Sequence, residues 1–150
     1  MSPTAGVATR VHAAMDRTLV ICKPDAVERR LVGAILGRLE RKGLTLVAGE
    51  LRHLDAAVAE RHYAEHKERP FFGELVQFIT RSPVFVAVVA GPTDTWRIVR
   101  TLMGPTNPVD APPGTIRGDL ATDLSENLIH GSDSAESAGR EIGIFFPDLV

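Results

Sequence analysis

The feature that most constrains this chain is the run Val84-Phe85-Val86-Ala87-Val88-Val89-Ala90, apolar at every position and rich in β-branched residues. A strand with one face in water alternates polar and apolar residues; this run does not, so it reads as the central strand of a sheet. It falls far short of the roughly 18 apolar residues of a membrane span. The remaining segments arrange themselves around it. Thr18-Leu19-Val20-Ile21-Cys22 reads as a second buried strand, stopped by a fixed turn at Lys23-Pro24-Asp25. Leu31, Val32, Ile35, Leu36 and Leu39 recur at helical spacing, with Arg30, Arg38, Arg41 and Lys42 facing away and Gly43 as the stop. Leu44 to Leu51 is a further strand, and Asp55 caps a helix expected to run to about Lys67. Pro70 opens a helix with the stripe Phe71, Phe72, Leu75, Val76 and Ile79. After the central strand, Gly91-Pro92 turns the chain into a helix ending at Met103-Gly104. Residues 105–117 hold four of the ten prolines and no period, which predicts a long, stiff loop of the kind kept for function. Leu128-Ile129-His130 is a last short strand broken by Gly131, and Asp133-Ser134-Ala135-Glu136 resembles a capping box that opens a final helix to about Gly143. This order predicts an α+β sandwich, a sheet covered by helices on one face, with no internal repeat and no linker.

A 150-residue chain that is 44% hydrophobic should bury its own core as one domain over residues 16–150, without disulfides or a structural metal. Seventeen Lys plus Arg against nineteen Asp plus Glu give a net charge of -2, which argues against a general nucleic-acid coat or a binder of anionic membranes. An anionic ligand must therefore meet local cations. Cys22 is the single cysteine, and neither Asn107 nor Asn127 lies in a glycosylation sequon, all of which fits a reducing cytoplasm. Residues 1–15 carry one Arg and no acid. They read as a disordered extension, or as the product of a misassigned start with Met15 as the real initiator, with an organelle-transit segment as the lesser alternative.

Neither a G-x-x-x-x-G-K-S/T loop nor a G-x-G-x-x-G fingerprint is present, so any phosphate must be held by separate side chains. One zinc-like string, His62-Tyr63-Ala64-Glu65-His66, matches the inverted zinc-peptidase pattern H-x-x-E-H. In a domain this small, with little room for a third ligand and a substrate cleft, we read these instead as two solvent-edge histidines on an amphipathic helix. His130 is different. It ends a strand, is followed by Gly131, which carries no Cβ to block approach, and precedes a helix N-terminus suited to phosphate. A neutral imidazole can attack phosphorus without first losing a proton. Lys23, Arg100 and Arg117 each sit at an element boundary beside Pro or Gly, where they could converge. From the residues alone, this is a phosphate-handling α+β protein.

The segments Lys23-Pro24-Asp25-Ala26-Val27, Arg69-Pro70-Phe71-Phe72, Gly104-Pro105-Thr106-Asn107-Pro108, Pro113-Gly114-Thr115-Ile116-Arg117-Gly118-Asp119 and Asn127-Leu128-Ile129-His130-Gly131-Ser132-Asp133-Ser134 resemble the nucleoside diphosphate kinase family, in order and in spacing, from about Arg17 to Phe146. The resemblance implies a ferredoxin-like sandwich, a four-stranded antiparallel sheet covered by helices. It implies transfer of the γ-phosphoryl of a nucleoside triphosphate such as ATP to a nucleoside diphosphate, by a ping-pong route through a phosphohistidine at His130. Glu141 would hold the other ring nitrogen. Lys23 and Tyr63 would reach the transferred phosphoryl, and Arg100, Thr106 and Arg117 the α- and β-phosphates. Asn127 with Lys23 would contact the ribose, Phe71 would stack on the base, and Ser132 would hydrogen-bond near the histidine and its carboxylate. Magnesium would ride chiefly on the nucleotide's phosphates, with Asp133 at most a water-mediated neighbour and no protein ligand of its own. The family forms homo-oligomers, and the resemblance favours a hexamer over a tetramer, with Pro108 in the subunit-contact loop; no membrane and no specific nucleic acid is implied. Four features depart from the family pattern. Ala26 and Ser125 replace frequent glycines, and the chain ends soon after Phe146. One extra residue after the central strand makes Arg97 a rival of Arg100, although the distance to Thr106 favours Arg100.

Overall fold

The computed structural model describes residues 15–150, so the expectations for the N-terminal segment fall outside the described residues up to position 14. Strand β1 (Asp16–Cys22) leads into a short helix α1 (Pro24–Glu28), then α2 (Val32–Arg41) and β2 (Thr45–Arg52). Helices α3 (Ala56–His62) and α4 (Phe72–Thr80) precede β3 (Val84–Gly91) and α5 (Thr95–Met103). A short α6 (Ile116–Leu120), β4 (Ile129–Gly131) and α7 (Ala135–Phe145) complete the chain, apart from single 3-10 turns. The four strands form an antiparallel sheet in the order β2-β3-β1-β4. The α+β class and the central place of Val84–Ala90 follow the sequence.

The one-face covering does not. Alternation along β1 sends Leu19 and Ile21 to one face and Val20 and Cys22 to the other, and each face has its own core. On one side, Val20, Cys22 and Val89 pack under Ile35 and Leu39 of α2 and Val99 and Met103 of α5. On the other, Leu19, Ile21, Val86 and Val88 meet Ala59 of α3, Ile79 of α4 and Ile142 and Phe145 of α7. A strand apolar at every position needs both coverings, since each fully buried Val, Leu, Ile or Phe contributes about 1.5–3 kcal/mol only when both sides exclude water.

Local chemistry explains the smaller differences. The expected helix to Lys67 stops at His62, Tyr63 is its C-cap, and a 3-10 turn at Ala64–His66 follows. The turn at Lys23-Pro24 continues as α1 because Pro24 occupies its first position. The proline-rich loop ends in α6, capped by the Thr115 hydroxyl accepting from the Gly118 N–H. Ser134 rather than Asp133 caps α7, accepting from the Ser137 N–H. Within one chain the loop is already tied down: Pro108 is buried, and Arg38 Nη1 donates to the Gly114 carbonyl at 3.0 Å.

Candidate active site

A cleft of about 230 Å³ opens where β4, α7, the end of α3 and the start of α1 meet. Lys23, Tyr63, Arg100, Thr106, Arg117, Asn127, His130 and Glu141 all line it. Ser132 lies behind this wall, fully buried, and Phe71 stands outside it, 43% exposed. Arg97 is exposed and does not line the cleft, whereas Arg100 donates from Nη1 to the Gly131 carbonyl at 2.9 Å.

His130 is the middle residue of β4, paired with Ile21, and Glu141 reaches it from α7. Nε2 and Glu141 Oε1 are 2.6 Å apart, and the Ser132 hydroxyl donates to the same oxygen at 3.1 Å. A carboxylate accepts, so the ring proton belongs on Nε2 and Nδ1 keeps its lone pair. Gly131 serves packing rather than access: a Cβ there would meet Met103 Sδ at 2.6 Å, so the glycine lets α5 close on β4.

The cations are wired into the backbone. Arg117, 3% exposed, donates from Nε to the Asn127 carbonyl (3.1 Å), from Nη1 to Gly104 (3.0 Å) and from Nη2 to Ile129 (2.6 Å). Lys23 Nζ donates to Asn127 Oδ1 at 2.9 Å, and Asn127 Nδ2 donates to the Thr106 carbonyl at 2.9 Å. Burial, with Arg117 nearby, lowers the Lys23 ammonium to about 8. Burial, then Lys23, Arg100 and Arg117, holds the His130 imidazole down to about 3. At neutral pH the cleft therefore presents an uncharged imidazole ringed by charged Lys and Arg donors, an arrangement that favours an incoming group carrying negative charge.

A family model described as nucleoside diphosphate kinase matches residues 16–149. The chain belongs to that family. It is 58% identical over 135 residues to the nucleoside diphosphate kinase of Frankia casuarinae, covering 90% of this chain and 98% of that protein. It is 56% identical over 135 residues to that of Mycobacterium leprae, covering 89% and 98%. The solved structure of a halophilic nucleoside diphosphate kinase from Halobacterium salinarum in complex with CDP is similar at a TM-score of 0.85 and 52% identity, covering 89% of this chain and 88% of that one.

Within this family member, His62 requires a correction. It is no solvent-edge histidine: it is 4% exposed, lies edge-on to His130 with ring centroids 4.6 Å apart, and neither ring nitrogen has a hydrogen-bond partner. His66 is exposed and lies beyond the end of α3, so the H-x-x-E-H string does not present both imidazoles on one helix face. Among the described residues, the close set of metal-ligating side chains is His62, His130 and Glu141, with ligand atoms within 4.8 Å of one another, and the last two are already bonded to each other. Two imidazoles and one committed carboxylate do not make the oxygen-rich octahedron that magnesium needs. Sequence reasoning also passed over Arg140, which lines the cleft 3.6 Å from Glu65. His62 lies one helical turn after Ala59 on the buried face of α3, so its burial was legible in the spacing, but its approach to His130 was not, because only the fold brings the two rings together.

Burial, then His130, pushes the His62 imidazole down to about 3. The unfolded chain takes up that proton near pH ~6.5 while the folded chain does not, so acidification pulls toward unfolding. The penalty grows from about pH 6.5 down to about pH 3, and the part that falls between pH 6.5 and pH 5 amounts to roughly 1.5 kcal/mol. Replacing His62 by Phe should therefore flatten the fall of the melting temperature over that interval. Parallel melting curves for wild type and variant would have to differ in slope; identical slopes would contradict a buried neutral His62.

Proposed function

We propose that this nucleoside diphosphate kinase passes the γ-phosphoryl of a nucleoside triphosphate through Nδ1 of His130. The Nδ1 lone pair forms the N–P bond as the bond from phosphorus to the β–γ bridging oxygen breaks, and the diphosphate leaves with that electron pair. A second nucleoside diphosphate then attacks the phosphohistidine by the reverse step. The observation that carries this reading is the Nε2 hydrogen bond to Glu141, which fixes the tautomer and turns Nδ1 into the nucleophile. Glu141 also balances the charge of the phosphorylated ring. Lys23, Arg100 and Arg117 spread the charge of the phosphates, with Tyr63 beside the transferred group and Thr106 and Asn127 contacting phosphate and ribose. Phe71, exposed at the rim, would stack on the base, and stacking accepts any base because each has a π-face.

Magnesium would be carried in on the nucleotide's phosphate oxygens, with Asp133, exposed at the cleft wall, reaching it through water. We further propose that residues 16–150 act as one domain in the cytoplasm and assemble as a homo-oligomer, a hexamer in preference to a tetramer. Exposed Val109, next to buried Pro108, supports an interface at this loop. Among the described residues no helix is long and apolar enough to cross a membrane. Light scattering at several concentrations should give a mass several times that of one chain; a monomer that is fully active would refute the assembly. For the chemistry, incubation with γ-labelled ATP and magnesium should leave an acid-labile, base-stable label on the protein, and well-folded protein without label would overturn the nucleophile assignment.

A further inference from the structure

Leu128 is fully buried, yet its φ is 74°, in a region that non-glycine residues rarely adopt. The Ile129 N–H donates to the Asn127 carbonyl at 2.9 Å, so residues 127–129 close a γ-turn of the strained kind. The turn has a functional consequence. Along a regular strand, residues three apart face opposite ways, so Asn127 and His130 would diverge. With the alternation broken at Leu128, both line the same cleft. Strain of this sort persists only where the surroundings hold it. The Lys23 N–H donates to the Leu128 carbonyl at 2.8 Å, and Arg117 takes the carbonyls on either side, those of Asn127 and Ile129. The remaining hold is on the Leu128 N–H, which donates to Asp25 Oδ2 at 3.0 Å from α1.

We propose that Asp25 is a positioning residue for the phosphoryl transfer: by holding the Leu128 N–H it keeps the γ-turn closed, and so aims Asn127 and His130 into one cleft. It touches no reacting atom. Asp25 is 2% exposed, a position where an uncompensated carboxylate is costly and where an apolar residue would serve packing better. A rival role, balancing the charges of Lys23 and Arg117, makes a different forecast, because Asn keeps an acceptor oxygen at the same place without the charge.

The proposal rests on His130 as nucleophile, so His130→Ala is run alongside in single-turnover labelling from γ-labelled ATP, with kcat and KM measured in parallel. Asp25→Leu should lower the labelling rate and kcat by about 100-fold, the size expected when a reacting group is misplaced by about an ångström, with a smaller change in KM. Asp25→Asn should recover about tenfold or more of that loss. Glycine adopts φ near +75° without strain and needs no outside hold, so in a Leu128→Gly background either Asp25 substitution should cost much less than it does beside Leu128. Each cost is measured against the parent of its own background, and the comparison can be read from Asp25→Asn alone if Asp25→Leu does not fold. The proposal is overturned if Asp25→Leu folds with wild-type kcat, if Asn is no better than Leu, or if glycine at 128 leaves the cost unchanged. Label on the His130→Ala protein would instead sink the nucleophile assignment.

Discussion

His130→Ala protein should take up no label from γ-labelled ATP and should turn over more than roughly a thousandfold slower than wild type, while still folding. The side chain is 22% exposed and pairs with Glu141 and the edge of His62 rather than filling either core cluster. Its loss leaves Glu141 Oε1 with the Ser132 hydroxyl as partner, a modest change for stability. Glu141→Gln separates the two roles. It should slow labelling because the tautomer is held less firmly, yet reach the same final stoichiometry, since Nδ1 is still there to be phosphorylated. Wild-type turnover in His130→Ala would refute the reading outright.

The second large effect is expected at Arg117. A guanidinium that only bound phosphate could be replaced at little cost to the folded protein. This one supplies Nε, Nη1 and Nη2 to three backbone carbonyls and is almost fully buried, with its pKa brought down to about 10 by burial and by Arg100. Arg117→Met leaves the Gly104 and Ile129 carbonyls without that partner and the Asn127 carbonyl with the Ile129 N–H alone, at a combined cost of about 3 kcal/mol, or a fall in melting temperature of roughly 10 °C in a domain of this size. Nucleotide affinity should drop as well, because the γ-turn and a cleft cation go together. Arg100→Met, which gives up a single bond to Gly131, should lose affinity with a much smaller change in melting. If Arg117→Met melts with wild type, the guanidinium is a ligand only and its bonds to the backbone are incidental.

The main strands and the longer helices were legible in the sequence, as was the position of the candidate reacting histidine, whereas the short helices at Pro24 and Ile116 were not. The all-apolar run at Val84 required a central strand and the periodic leucines after Leu31 a helix, because hydrophobic period acts over a few residues and is written locally; the strand end expected at His130 lies instead at Gly131, which leaves the imidazole in the middle of β4 and only 22% exposed. The tertiary structure decided the rest. That both faces of the sheet are covered depends on which helix crosses which strand. That His62 is buried against His130, that Arg117 binds carbonyls as well as facing the cleft, and that Asp25 reaches the Leu128 N–H across 103 positions of sequence are juxtapositions of distant segments. No local pattern encodes them. The strained turn at Leu128 is the sharpest case: an isolated chain would avoid that φ, and the bonds from Lys23, Asp25 and Arg117 that surround it, like the burial of the Leu128 side chain, are assembled only by the fold.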